Sequence, residues 1–213
     1  VLSACRDVAW RRRALASFTP PPSVLLDLAC GTYDCALDAL QLGAAERVHG
    51  ADFCLPMLQA GSEKRRGRPV SASAGDALRL PFADASFDGA IMAYGWRNLD
   101  DPVAGLVELR RVLRPGGQLV LLEFFKPSRW WPAFFYGSFG RLVFPLIGGL
   151  LTGRTAAYRY LHSSIQAFLT TSEADAALRQ AGFADPRWTT CFGGISHFVH
   201  ARLPALAEGP DAC

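Results

Sequence analysis

Short apolar runs alternate with segments of helical periodicity between residues 24 and 124. The apolar runs are typical of buried strands and cover 24–29, 47–52, 69–74, 87–94 and 118–124. The segments between them that suit helices cover 34–42, 55–66 and 102–114. A crossover helix that packs back on the sheet makes consecutive strands parallel. The alternation therefore predicts a parallel sheet covered by helices on both faces.

The ends of the chain depart from this alternation. Further helices are predicted over 7–18, 155–168 and 172–181. Two last strands are predicted at 187–192 and 195–202, and the Gly193-Gly194 pair between them indicates a hairpin. The expected fold is α/β, with a seven-stranded, mostly parallel, Rossmann-like sheet and an antiparallel C-terminal hairpin. We expect residues 1–213 to form a single domain.

The composition is that of a globular chain. Its 213 residues are 50% hydrophobic and 19% charged, with a formal net charge of +3. These values exclude a disordered chain and give no indication of a nucleic-acid partner. The six cysteines, at positions 5, 30, 35, 54, 191 and 213, include no C-x-x-C pair, so we expect free thiols and no metal site. Three arginines at 11–13 lie where a secretory signal needs an apolar core, which favours a cytoplasmic location.

The longest apolar stretch runs from residue 130 to residue 151 and is long enough to span a bilayer. Arg141 lies in its middle, however, and Pro132 and Pro145 divide it into shorter pieces. A charge at the bilayer centre is costly, and proline interrupts helices. A buried or interfacial segment is therefore expected.

Candidate binding residues follow three consecutive strands. A glycine turn with Asp27 and Gly31 ends the first strand, Asp52 ends the second, and Gly75 and Asp76 end the third. In parallel sheets, ligands bind at the carboxyl ends of the strands. The spacing of 21 residues from Gly31 to Asp52 suits an acid that reaches the ribose of a nucleoside. The motif G-x-G-x-x-G is absent, so a dinucleotide is not the first choice.

Several stretches of this chain match one enzyme family. They are WRRRAL at 10–15, LLDLACGT at 25–32, ADFCLPML at 51–58, GDALRLPFADASFD at 75–88, YGWRNLDDP at 94–102, ELRRVLRPGGQLVLLEFFKP at 108–127 and YRYLHSSIQAF at 158–168. The chain resembles the class I S-adenosylmethionine-dependent methyltransferases, and within them the UbiE-like quinone methyltransferases. The resemblance implies transfer of a methyl group to a ring carbon of a prenylated quinol of the menaquinone or ubiquinone pathway.

The resemblance implies S-adenosylmethionine as the cofactor and assigns residues to it. Asp27, Ala29 and Gly31 would face its methionine part, and Asp52 would bind the ribose hydroxyls. Phe53, Asp76 and Ala77 would lie on the adenine side, and Thr32 and Met57 would also bind the cofactor.

The same resemblance assigns a catalytic group and an acceptor pocket. Tyr94, Arg97 and Asn98 would lie at the site of transfer, and the acceptor pocket would be closed by Tyr158, Arg159, Tyr160 and His162. Arg97 is suited to stabilise the phenolate of the acceptor. The proton acceptor stays open between a water, Asp100 and His162. The alternative for Arg97 is a surface ion pair with Asp100 or Asp101.

An insertion at about 128–168 is expected to form an apolar lid for the acceptor. Its aromatic residues would line a tunnel for the prenyl tail or touch the inner face of the membrane, and the alternative is an ordinary core segment on the sheet edge. The expected partners are the quinol, a membrane surface at the periphery, and a homodimer or a complex for quinone synthesis.

The chain departs from the family at two positions. Tyr33 and His162 stand where the family usually has glycine and proline. We expect a positive φ at Tyr33, with the ring turned outward and the cofactor still bound. One alternative function is methylation of another lipid or small molecule. Another, prompted by Tyr33, is a non-catalytic partner in a quinone-synthesis complex.

Overall fold

The computed structural model describes residues 6–127, 155–192, 194 and 196–205. The strands are β1 (Val24–Leu28), β2 (Arg47–Asp52), β3 (Val70–Ala74), β4 (Phe87–Ala93), β5 (Leu113–Phe124), β6 (Ala184–Phe192) and β7 (Ser196–Arg202). The helices are α1 (Arg6–Leu15), α2 (Asp34–Gln41), α3 (Leu55–Ala60), α4 (Ser62–Arg65), α5 (Pro102–Val112), α6 (Thr155–Ala167) and α7 (Thr171–Gln180). A short 3₁₀ turn covers Trp96–Asn98.

The seven strands form one sheet in the order β3-β2-β1-β4-β5-β7-β6. Strands β1 to β5 pair in parallel, whereas β7 is antiparallel to both β5 and β6. The predicted mostly parallel sheet with an antiparallel C-terminal hairpin is confirmed. Because β1 to β5 run the same way, their carboxyl ends lie along a single edge.

Some boundaries differ from the sequence prediction. The single helix expected over 55–66 is divided at Gly61 into α3 and α4. A Cβ atom on Gly61 would lie 2.7 Å from Cδ2 of Tyr33, so this break lies where an aromatic ring packs against the backbone. Helix α1 ends at Leu15, three residues before its predicted end.

The start of β5 also differs, since we expected it after the glycine pair that follows Pro115. Pairing begins at Leu113, which lies opposite Phe87 of β4, and the register then shifts before Gln118 pairs with Gly89. The terminating residues of α5 are thus part of an irregular strand entrance. Proline and glycine are tolerated there because the ladder is interrupted.

The core lies on both faces of the sheet because side chains alternate along each strand. One face packs with α5 and α7 and the other with α1 and α2. The first includes Leu26, Leu28, Leu119 and Leu121, and the second includes Leu25, Ile91, Val120 and Leu122. Every one of these residues is at most 1% exposed. Burial of each such side chain contributes roughly 1.5–3 kcal/mol to the stability of the fold. The strands that carry the site are therefore firmly packed on both faces.

The apolar stretch from residue 130 to residue 151 lies outside the described residues, as does most of the expected lid insertion. The predicted helix at 155–168 is confirmed as α6. Within the described ranges, no helix is long and apolar enough to cross a bilayer.

Helix α1 is fastened to α2 by a largely buried carboxylate. The side chain of Asp38 is 9% exposed and accepts hydrogen bonds from Arg11 Nε at 2.7 Å and Arg12 Nε at 3.0 Å. Arg11 Nη2 lies 2.6 Å from the same carboxylate. Removing one member of a buried pair leaves the other charge without compensation, which is costly.

We predict that Asp38→Asn lowers the free energy of unfolding by roughly 2 kcal/mol or more, because two arginines lose their counter-charge. Urea denaturation followed by circular dichroism measures the change. The control is Glu63→Gln, which breaks an ion pair with Arg66 whose side chains are 71% and 76% exposed. That control should shift stability by less than about 0.5 kcal/mol. Equal losses in both variants would contradict the assignment.

Candidate active site

A cleft of about 560 Å³ opens at the carboxyl edge of the parallel strands. The lining residues come from the loops after β1, β2, β3 and β4. They are Leu28, Ala29, Gly31, Asp52, Phe53, Met57, Gly75, Asp76, Ala77, Leu78, Tyr94, Gly95, Asn98, Leu99 and Asp100. Most of the cofactor residues expected from the sequence therefore line one cavity.

The loop after β1 is curled by residues in the left-handed region. Ala29 has φ 58° and Gly31 has φ 55°, and a Cβ on Gly31 would approach only Met57, at 3.5 Å. Ala29 and Gly31 line the cleft, whereas Asp27 and Thr32 do not. The glycine leaves the backbone of this loop open to a ligand.

Asp27 lies beneath the loop rather than in the cleft. It is 1% exposed, and its Oδ2 accepts a hydrogen bond from the backbone nitrogen of Ala36 at 3.0 Å. Burial raises the pKa of Asp27 to about 7. In this structure its contact ties the end of β1 to the first turn of α2.

Asp52 joins the first two loops of the cleft. Its Oδ2 accepts from the backbone nitrogen of Gly31 at 2.7 Å, and its Oδ1 accepts from that of Cys54 at 2.8 Å. An ionised carboxylate has about four acceptor sites, so roughly two remain for a ligand. The residue at the predicted ribose position therefore lies at the cleft with unused acceptor capacity.

The far end of the cleft combines open apolar surface with an acid. Phe53 is 80% exposed and Met57 is 43% exposed. Asp76 accepts through Oδ1 from the backbone nitrogen of Leu78 at 2.9 Å, and Ala77 follows it in the lining. An exposed ring and a neighbouring carboxylate suit a purine base with an exocyclic amine.

Tyr94 ends β4 in a strained conformation, with φ 62°. Its carbonyl oxygen accepts from Arg97 Nη1 at 2.9 Å and from Asn98 Nδ2 at 3.3 Å. Its ring stacks on Phe124 with a centroid distance of 5.0 Å. Burial raises the pKa of the Tyr94 hydroxyl. Tyr94 and Asn98 both line the cleft. The carbonyl oxygen of Tyr94, whose backbone is strained, thus holds the side chains of the turn that follows β4.

Arg97 forms neither of the surface ion pairs considered for it. Its Nη1 lies 2.5 Å from Oε1 of Glu123, and the two side chains are 10% and 0% exposed. Asp101 instead caps α5, and Asp100 lines the cleft. The alternative of a pair with Asp100 or Asp101 is wrong because a carboxylate at the end of β5 is nearer.

Helix α6 contacts this turn from outside. Tyr160 is 57% exposed and donates its hydroxyl to Asn98 Oδ1 at 2.9 Å. Arg159 is exposed and His162 is half-buried on the same helix, whereas the side chain of Tyr158 lies outside the described residues. The structure therefore brings Tyr160, an expected acceptor residue, into contact with Asn98.

Tyr33 has φ 67°, as expected, but its ring does not turn outward. The residue is 1% exposed, and its hydroxyl donates to the carbonyl of Leu58 at 3.2 Å. The ring packs against Gly50 and Gly61, where added Cβ atoms would lie 3.0 and 2.7 Å from it. The outward orientation is thus wrong. Two glycines provide space for the ring on the side away from the cleft, so Tyr33 does not block the site.

Glu123 is the residue that sequence reasoning missed. It ends an apolar strand, as Asp27 and Asp52 do, and this resemblance in position was the available signal. The sequence also gave no indication that Leu78, Gly95 and Leu99 line the cleft.

Comparison with solved structures identifies the fold. The fold matches a SAM dependent methyltransferase from Aquifex aeolicus with a TM-score of 0.60 and 18% sequence identity, over 85% of this chain and 82% of that chain. The seven-stranded sheet with its cleft is therefore the class I methyltransferase fold.

The sequence comparison identifies the family. A profile of the ubiE/COQ5 methyltransferase family matches residues 1–202, and the chain belongs to this family. A demethylmenaquinone methyltransferase of Thermus thermophilus is 42% identical over 187 residues, which cover 86% of this chain and 85% of that protein. One of Desulfitobacterium hafniense is 36% identical over 93% of this chain and 81% of that protein. The chain is a methyltransferase that uses S-adenosylmethionine.

We predict that Asp52→Ala weakens S-adenosylmethionine binding by at least about tenfold, since each charge-assisted hydrogen bond contributes roughly 1.5–3 kcal/mol. Isothermal calorimetry gives the dissociation constant. Asp84→Ala removes a carboxylate that is 78% exposed and lies outside the cleft, and it should bind as the unmodified protein does. An Asp52→Ala affinity within twofold of the unmodified protein would exclude the ribose assignment.

We predict that Tyr33→Gly destabilises the fold and leaves cofactor affinity within about threefold, because the ring lies outside the cleft. Relief of left-handed strain recovers about 1 kcal/mol, whereas the lost aromatic ring costs roughly 3–5 kcal/mol. Thermal denaturation and calorimetry measure the two effects. Tyr33→Phe, which keeps the ring, should lose only about 1 kcal/mol. A more stable glycine variant would refute this packing.

Proposed function

We propose that this enzyme transfers a methyl group from S-adenosylmethionine to a ring carbon of a prenylated naphthoquinol of the demethylmenaquinol type. The observation that carries the proposal is the 42% identity over 86% of the chain with a protein named demethylmenaquinone methyltransferase. The cleft supports this proposal, because Asn98, which belongs to the same 3₁₀ turn as Arg97, lines the cavity.

The cofactor supplies a methyl group on a positively charged sulfur. The residues of the chain would hold the two reactants in line, and such positioning supplies a large part of the rate. Asp52 would hold the ribose, and the Phe53 side chain would contact the base. Arg97 would stabilise the negative charge on the quinol oxygen, which makes the neighbouring ring carbon nucleophilic.

Two alternatives have less support. The reason for considering a non-catalytic partner was obstruction by Tyr33, and its ring is absent from the cleft lining. Methylation of another lipid by the same fold has no specific observation in its favour, whereas both of the relatives described above carry the quinone name.

The acceptor's prenyl tail implies contact with a membrane surface, because such tails partition into lipid. We include peripheral binding at the inner face of the membrane in the proposal. The site residues on α6, a homodimer and a quinone-synthesis complex stay predictions.

The proposal is tested with purified protein, S-adenosylmethionine and a reduced demethylmenaquinol that carries a short prenyl tail. We predict a product heavier by one methylene, with the methyl group on the ring carbon, identified by mass spectrometry and NMR. A demethylated benzoquinol and phosphatidylethanolamine are offered in parallel. Methylation of the benzoquinol alone would move the acceptor to the ubiquinone type. Methylation of the phospholipid alone would overturn the quinol proposal.

A further inference from the structure

Glu123 is a fully buried carboxylate with three hydrogen-bond donors around it. Its Oε1 accepts from Arg97 Nη1 at 2.5 Å and from the backbone nitrogen of Phe124 at 2.8 Å. Its Oε2 accepts from the backbone nitrogen of Arg97 at 3.2 Å. One carboxylate thus holds both the guanidinium and the main chain of the turn after β4.

The Arg97 guanidinium is fixed from further directions. Nη1 also donates to the carbonyl of Tyr94 at 2.9 Å, and Nε donates to Ser164 Oγ at 3.4 Å. The guanidinium carbon lies 5.8 Å from the centroid of the Phe124 ring. Within the described residues, Nη2 is the guanidinium nitrogen that makes no hydrogen bond.

The stability of the fold alone does not explain the buried ion pair of Arg97 and Glu123. Burying two charges costs several kcal/mol each, and an apolar pair of similar volume is often as stable. Burial raises the pKa of Glu123, and the positive charge of Arg97 opposes that rise. The buried pair fixes the orientation of the Arg97 side chain. A free arginine side chain would lose rotamer entropy when it binds a ligand.

We propose that Glu123 is a positioning residue, which fixes Arg97 so that Nη2 is available to the oxygen of the methyl acceptor. The inference rests on the proposed function for the identity of that acceptor. Neither Glu123 nor Arg97 is among the lining residues of the cleft, but Arg97 stands between Gly95 and Asn98, which do line it. The Arg97 side chain is 10% exposed and that of Glu123 is fully buried, so Glu123 acts through Arg97 and does not touch the reacting atoms.

The first test compares Glu123→Gln with the unmodified enzyme. Glutamine keeps the shape and two of the acceptor contacts but removes the counter-charge. At saturating acceptor, kcat should fall about tenfold or more, while the dissociation constant of S-adenosylmethionine stays within about twofold. Glu123→Asp keeps the negative charge on a side chain that is one methylene shorter, and this variant should recover part of kcat. Asp175→Asn removes the carboxylate that pairs with Arg179 on α7, where the two side chains are 29% and 58% exposed, and this control should keep full activity.

The second test is a double-mutant cycle with Arg97→Gln. If Glu123 acts through Arg97, Glu123→Gln should change kcat by less than about twofold in the Arg97→Gln background. Additive losses would overturn the inference, because Glu123 would then support the site by another route.

A third readout does not depend on activity. Nitrogen NMR of the arginine side chains should show slow rotation of the Arg97 guanidinium, with its two Nη signals separate, and Arg97→Lys identifies them. Glu123→Gln should merge these signals. If the unmodified enzyme fails to methylate the quinol while the signals still merge, the proposed function fails and the positioning role stands. If the quinol is methylated and the signals are unchanged by Glu123→Gln, the positioning role fails.

Discussion

The parallel pairing of β1 with β2 and β4, and of β4 with β5, brings the ends of these strands to one edge of the sheet. Four of the residues that define the site stand at these ends, namely Asp27, Asp52, Tyr94 and Glu123. Their distances along the chain are large, but strand spacing alone brings them together. Every other property of the site depends on this register, since a slip in one strand would move its terminal residue away from the cleft.

The acids at this edge differ in what surrounds them. All three accept hydrogen bonds from backbone nitrogens, but Asp52 lines the cleft, whereas Asp27 and Glu123 are 1% and 0% exposed. A carboxylate that is buried among hydrogen-bond donors is a structural or positioning element, and one that lines the cleft is available to a ligand. Carboxylates at this edge therefore have two roles, ligand binding and positioning, and burial determines which role each one has.

Much of this was predictable from the sequence. The alternation of strands and helices gave the sheet, and the spacing from Gly31 to Asp52 placed an acid at the cleft. The Arg97–Glu123 pair was not predictable, because nothing in the linear pattern relates two residues on separate strand ends. The orientation of Tyr33 depends on space beside distant glycines, which local propensity does not report.

The packing of the Tyr33 ring restricts which residues positions 50 and 61 can accept. An alanine at either glycine would bring a Cβ atom within 3.0 Å of the ring, so neither substitution is tolerated while the tyrosine is present. Loss of the ring alone would not free the two glycines, because a Cβ on Gly50 would also lie 2.8 Å from Sγ of Cys30 and one on Gly61 would lie 2.8 Å from Cα of Thr32. Homologues with an aromatic residue at position 33 are therefore expected to keep glycine at both positions. Those with a small residue there are still expected to keep glycine at position 61, because the main chain at Thr32 cannot move aside as a side chain can.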